Sequence, residues 1–254
     1  MSDAIAAIAE RLDHAAYTAM AVPQLSEPLD IAAAYAVQAR SMQHRYARGE
    51  RVVGIKLGFT SRAKMVQMGV DEMIWGRLTE AMLIEDGGAV SASRFIHPRV
   101  EPEIAYLLKR PLMGAVSLVE AMAAVEAVAP ALEIIDSRYA DFRFSLTDVV
   151  ADNSSSTGFT IGPWHRPDLD AGNLGIILEL DGRAVQLGSS AAILGHPARS
   201  LVAAARLTAT HGHSLSAGDI VLAGAATAAV ELAVGNHVRV RVQTLGNAEF
   251  SCVE

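Results

Sequence analysis

Between Arg99 and Leu108 the chain reads RVEPEIAYLL, a run apolar enough to be a buried strand that nevertheless carries two glutamates near its start. Side chains alternate faces along a strand, so Glu101 and Glu103 point the same way, together with Ala105 and Leu107. Like charges so close on a partly apolar wall repel and are poorly solvated, which pushes each toward its neutral form unless a cation sits between them. A hard divalent ion that takes carboxylate oxygens and water removes the conflict. The alternative is a solvated face of an edge strand, and Pro102 is a residue that edges tolerate. A third glutamate, Glu133 in APALEIIDS, stands in another short apolar strand, where an unpaired carboxylate is expensive to bury. Three such carboxylates suit an ion site that leaves positions open for water or substrate.

A core large enough to house that site is available, since 51% of the 254 residues are hydrophobic. The net charge is −7, from 21 basic and 28 acidic residues, and no Lys/Arg run occurs. That balance argues against a nucleic-acid or anionic-membrane surface and favours small molecules as ligands. The single cysteine, Cys252, permits no intramolecular disulfide and fits a reducing compartment. MSDAIAAIAERLDHAA has charges spread through its apolar residues, the pattern of an amphipathic helix rather than of a signal peptide. With no uncharged apolar stretch of roughly 18 residues, the expectation is a cytoplasmic protein.

Residues 1–50 read as two helices, the first on Ile5, Ile8, Leu12 and Ala16, the second capped by Asp30 and ending near Gly49. From Arg51 the texture changes to strands: RVVGIKLGF, GRLTEAMLI, RVEPEIAYLLK, PALEIIDS, TGFTIGPW, DIVLAGA, HVRVRVQTL and AEFSCVE. LGIILELDGRAVQLG reads as a hairpin turning at Asp181-Gly182. Helices are expected over TSRAKMVQMG, SLVEAMAAVEAVA and HPARSLVAAARLTATHG. The regular strand–helix alternation of a doubly wound sheet is missing, so the fold class is α+β, a mixed or antiparallel β architecture behind a helical N-terminal section. The expected division is 1–75 for that N-terminal α/β section and 76–254 for the catalytic part, with one continuous domain as the alternative.

The stretches VVGIKLGFTS, GVDEMIWGRL, HPRVEPEIAYLL, ALEIIDSRY, VVADNSSSTGF and LGHPARSLVAAARL, in this order over nearly the whole chain, resemble the fumarylacetoacetate hydrolase superfamily. They are most similar to its branch of 2-keto-4-pentenoate hydratases and 2-oxo-3-hexenedioate (4-oxalocrotonate) decarboxylases of aromatic meta-cleavage pathways. The resemblance implies a mixed β-roll, and Mg²⁺ or Mn²⁺ held by Glu101, Glu103 and Glu133. It also implies a small 2-oxo dicarboxylic acid as substrate, a homo-oligomer, and association with the pathway's hydratase. Hydratases of this kind tend to carry an aspartate immediately before the aromatic-Gly pair. Here Ile74 precedes Trp75-Gly76, as in the decarboxylases, whose leaving CO₂ favours an apolar distal pocket. Ile74 and Trp75 are therefore candidate substrate-binding residues, with core filling as the alternative and Asp71 or Glu72 as nearby acids. Hydration of the dienoate, and a catalytically weak scaffold subunit, stand as the other readings.

Lys56 in GIKLG is a lysine inside an apolar strand, unusual unless paired or functional. Near a metal it can bind a substrate carboxylate or handle protons; the alternative is a salt bridge to a structural acid. Ser61 can orient a carboxylate or simply cap the following helix. Asp152, Asn153 and Ser155 match a polar loop of the family that faces the site, or form a turn built on Asx side chains. Arg138 in DSRY can counter Asp136 or Asp141, or hold the distal carboxylate of a diacid. His196, before Pro197, suits capping better than catalysis, and the remaining histidines form no metal spacing.

Overall fold

The computed structural model describes residues 2–61, 65 and 73–254. Two helices open the chain, α1 (Ser2–Thr18) and α2 (Ile31–Ala47), and pack on each other. Asp30 caps α2 by accepting from the Ala33 amide at 2.7 Å, and Gly49 follows its end with a left-handed φ of 97°. Strands β1 (Val52–Gly58), β2 (Ile74–Thr79), β3 (Ala89–Ser91) and β4 (Arg99–Leu108) follow. The expected strand over GRLTEAMLI is shorter than its apolar run, because Glu80–Met82 turn into a 3₁₀ helix. The helix expected over TSRAKMVQMG, with Asp71 and Glu72, lies outside the described residues.

Helix α3 (Leu118–Ala123) is capped by a Ser117–Glu120 capping box and stops far short of the expected Ala129. From Val125 the chain is already strand β5 (Val125–Ile135), antiparallel to β4 along its length. Alanine-rich sequence favours helix only weakly, and the ladder to β4 overrides it. There follow α4 (Leu146–Ala151), β6 (Ser156–Ile161), β7 (Gly175–Leu180), β8 (Arg183–Ser189), α5 (Arg199–Thr210), β9 (Ile220–Leu222), β10 (Val230–Glu231), β11 (His237–Val242) and β12 (Gly246–Val253). The hairpin between β7 and β8 turns at Asp181-Gly182, both with positive φ.

Seven strands form one sheet in the order β2-β1-β9-β4-β5-β6, with β10 also on β4; five form a second, β3-β12-β11-β7-β8. The second sheet lies on the first through β11 and β12 against β5, while α5 covers β2 and α2 packs on α4. The expected division at 75/76 falls inside β2, and β1 is bonded into the same sheet between β2 and β9. No described helix is long and apolar enough to cross a membrane.

Strand β4 is interior, not an edge, and Pro102 is tolerated there for a local reason. On its side away from β5, β10 pairs with Arg99 and Val100 and β9 with Ala105 to Leu107. Pro102, which has no N–H to give, falls in the interval between them, and its carbonyl accepts from Ala226 at 2.9 Å.

Candidate active site and metal centre

Antiparallel register sets Glu101 directly opposite Glu133, with Glu103 two residues on along the same face of β4. Glu103 and Glu133 are fully buried, and Glu101 nearly so. One oxygen from each lies within 4.8 Å of the others. Among the described residues, Glu103 Oε1 and Glu133 Oε1 accept no hydrogen bond, while Glu103 Oε2 receives the Gly224 amide at 2.7 Å. Burial, then repulsion from Glu133, raises the Glu103 carboxyl well above the usual range, and burial raises Glu133 against the pull of Lys56. Buried, close and under-bonded oxygens with unspent negative charge are the donor set a hard divalent cation requires.

Lys56 supplies part of the missing positive charge. It sits opposite Gly76 in the β1–β2 pair, and its Nζ lies 3.0 Å from Glu133 Oε2. Burial alone would lower its pKa, but the fields of Glu133, Glu101 and Glu103 outweigh that and raise it, so the ammonium stays charged. The same register places Ile74 opposite Gly58 on the Lys56 face, buried and apolar. Trp75 is on the other face, its ring stacked on Tyr35 at 5.5 Å and under the Arg77 guanidinium. The pair expected to line one pocket is thus divided by the pleat.

The polar loop after α4 holds two kinds of contact. Asp152 is buried and ion-paired with Arg138, whose backbone N also donates to its Oδ2 at 3.0 Å. Burial pushes the Asp152 carboxyl up to about 6 despite that partner. Arg138 further donates to Thr157 Oγ1 at 2.6 Å, while Asp136 accepts from the Ile96 and His97 amides. The guanidinium expected to counter Asp136 or Asp141, or to hold a distal carboxylate, is therefore spent on Asp152. Ser155 Oγ lies 3.5 Å from Asp152 Oδ2. The Asn153 side chain is tied to β2: its amide accepts from Arg77 N at 2.7 Å and donates to Arg77 O at 2.9 Å. A Cβ on Gly76 would meet Asn153 O at 2.4 Å, so this clamp requires glycine there. His196 Nδ1 accepts from the Ala198 amide at 3.1 Å, the capping role.

Gly224 was missed in reading the sequence, where it falls at the end of the strand expected over DIVLAGA. Its φ is +103°, and a Cβ there would strike Thr60 Oγ1 at 2.0 Å, so only glycine can aim its N–H at Glu103 while Thr60 packs behind it. Ser61, next in the chain after Thr60, is half-buried. A lone glycine among alanines just after a strand was the available signal.

A sheet that carries a buried carboxylate triad with a lysine beside it has the donor set of a divalent-cation-dependent enzyme. The chain belongs to the fumarylacetoacetate hydrolase family: residues 51–253 match the fumarylacetoacetate (FAA) hydrolase C-terminal family. It is 58% identical over 249 residues, 97% of each chain, to a 4-oxalocrotonate decarboxylase of a Pseudomonas species. A 2-hydroxyhexa-2,4-dienoate hydratase of Comamonas testosteroni is 35% identical over 87% of this chain and 86% of its own. The structure superposes with a TM-score of 0.96, at 38% identity and over 100% of this chain and 98% of the other, on 4-oxalocrotonate decarboxylase from Pseudomonas putida G7 complexed with magnesium and adipate. The mixed helix-and-sheet fold is of the fumarylacetoacetate hydrolase type.

Proposed function

We propose that this chain decarboxylates 2-oxo-3-hexenedioate (4-oxalocrotonate) to CO₂ and 2-hydroxypenta-2,4-dienoate, with Mg²⁺ or Mn²⁺ held by Glu101, Glu103 and Glu133. The observation that carries the reading is the buried triad with its under-bonded oxygens, in a chain similar end to end to decarboxylases. Magnesium and a six-carbon diacid in the Pseudomonas putida G7 enzyme are the ion class and ligand length it needs.

Bound there, the ion supplies Lewis-acid polarisation of the 2-oxo acid function. In the reaction the C5–C6 bond breaks, C6 leaves as CO₂, and the electron pair runs through the C3–C4 double bond onto the C2 oxygen. A proton taken up at that oxygen completes the dienol. Lys56, held charged beside Glu133, is assigned to the C1 carboxylate or to that proton. Ile74 gives the Lys56 face an apolar wall where a hydratase wants a group that directs water to the alkene. Asp152, with its carboxyl near pH 6, and Ser155 are the candidate proton-handling pair, and Ser61 the candidate carboxylate anchor.

Incubating the purified protein with Mg²⁺ and the oxo-diacid tests the proposal. CO₂ release supports it; conversion of the dienoate to a 4-hydroxy-2-oxo acid without CO₂ replaces it with the hydratase, and neither activity without a partner replaces it with the scaffold. The chain is also proposed to form at least a dimer and to associate with a cognate hydratase. Exposed Tyr17, Met20, Met113, Val119 and Leu187 leave apolar surface for such contacts. Light scattering at micromolar concentration that gives the mass of one chain overturns the first part, and failed co-purification from a co-expressing host the second.

A further inference from the structure

The alternation that turns Ile74 toward the triad turns Trp75 and Arg77 the other way, toward α2 and the segment after α5. Arg77 is buried and forms no ion pair with a carboxylate among the described residues. Its side-chain contacts are neutral: Gln38 Oε1, His213 Nε2 and the face of the Trp75 indole, 4.6 Å from guanidinium carbon to ring centroid. Burial, then the Arg77 charge itself, holds the His213 imidazole below its ordinary range, so at neutral pH it accepts from the guanidinium and adds no second charge. A guanidinium does not shed its proton to escape burial, so this one stays charged with only neutral partners to offset its desolvation.

Further donors beside it also lack acceptors. Trp75 Nε1 and the Tyr46 hydroxyl are buried and make no hydrogen bond among the described residues. With Arg77 and His213 these side chains line a cavity of about 350 Å³. Ile55 and Leu215 give the same cavity apolar wall, and it opens where Ser214 is exposed. The acids nearby are not free to serve Arg77. Asp219, in the cavity wall, accepts from the Ser216 amide at 2.7 Å, and Glu50 is tied to Arg45 and Thr79. A wall made of one unpaired cation, donors without acceptors, apolar side chains and a single acid fits a ligand with one negative charge and an apolar body.

We infer that this cavity is a binding site for a small organic monocarboxylate, separate from the metal centre, whose carboxylate pairs with Arg77 and whose chain lies on Ile55 and Leu215. The product assigned above belongs to that class, and this link alone rests on the decarboxylase reading; the site does not.

The test is binding, read without turnover. The chain has two tryptophans, so Trp164→Phe leaves Trp75 as the only one. Metal-free protein of that background is titrated with hexanoate, which is transparent where indole absorbs, and separately with inorganic phosphate. Hexanoate should change Trp75 emission saturably, with the same Kd after Glu133→Gln. The Kd should rise at least tenfold in Arg77→Met and in Ser214→Asp, the latter placing a fixed carboxylate at the exposed rim without touching the core. Should Arg77→Met not fold, Ser214→Asp decides alone. No saturable signal in the parent, an unchanged Kd in a folded Arg77→Met or in Ser214→Asp, or loss of binding in Glu133→Gln overturns the site. A phosphate curve equal to that of hexanoate overturns the organic class.

Discussion

Replacing Lys56 by methionine keeps the aliphatic stem and deletes the charge beside Glu133. At the observed 3.0 Å separation and an effective dielectric of about 20, the attraction is roughly 5 kcal/mol. The deleted ammonium no longer has to be desolvated, which offsets part of this. Breaking a buried pair by removing one partner costs about 3–5 kcal/mol, because the other charge is left behind. In metal-free protein the triad then holds three carboxylates with their nearest cation gone. For a chain of this length each kcal/mol moves Tm by about 2–4 °C, so the loss in EDTA should be about 6–20 °C. With Mg²⁺ bound the argument reverses, since Lys56 now repels the ion and its removal costs less. Mg²⁺ should therefore raise the Tm of Lys56→Met by more than it raises that of the parent. Every 1.4 kcal/mol of that difference corresponds to about tenfold tighter metal binding. Thermal scans with EDTA and with excess Mg²⁺, paired with calorimetric metal titrations, measure both quantities. An unchanged Tm in EDTA, or a smaller Mg²⁺ shift than in the parent, would refute the idea that Lys56 stands in for metal charge.

Glu101→Gln or Glu133→Gln should abolish turnover, and Glu101→Gln should leave the metal-free fold as stable or more so, because it neutralises a crowded carboxylate without taking Glu133 from Lys56; retained activity and metal affinity would sink the three-ligand assignment. Ile74→Asp should depress decarboxylation by setting a carboxylate against the substrate's leaving one and drawing in water, and an unchanged rate places position 74 outside the pocket. Asp152 has a folded carboxyl raised from 3.8 to about 6, so its contribution to stability is fully present below pH 4 and is lost as pH rises through 6, by about 3 kcal/mol. Asp152→Asn should flatten that part of the urea-denaturation profile between pH 4 and 7, and an unaltered profile would contradict the burial argument. Gly224→Ala should cost about 2–4 kcal/mol from the clash with Thr60 and the positive φ, and should weaken metal binding; a full-strength metal isotherm would show that the Gly224 amide does not position Glu103.

What could be read in advance follows a physical line. The glutamates stood out because strand alternation is local and the cost of burying charge is general, so Glu101, Glu103 and Glu133 needed no knowledge of the fold. Lys56 and the Asp181-Gly182 turn were visible on the same terms. The first half of β5 was not, since its alanines and valines fit a helix until β4 is laid beside them. Nor was the partner of Arg138, because nothing local ranks Asp152 above Asp136 or Asp141; the choice is made by how the loop after α4 returns to the end of β5. That Trp75 stands on the face opposite Ile74 follows from strand alternation, which turns adjacent side chains to opposite faces. Arg77 gave no signal, since an arginine in a strand is ordinary until its counterion is found missing.

The cross-strand pairing of Glu101 with Glu133 also makes the ion a reader of folding. A slip of one residue between β4 and β5 would turn one set of carboxylates to the opposite face and leave the other set without them. Chains with the slipped ladder would keep much of their backbone bonding but present no three-oxygen cluster. A divalent cation added during refolding therefore selects the native alignment by mass action, stabilising only the chains that have it. Catalytic competence and correct strand alignment are in this way tested at one place, and a refolded sample can be scored for both by how much metal it holds.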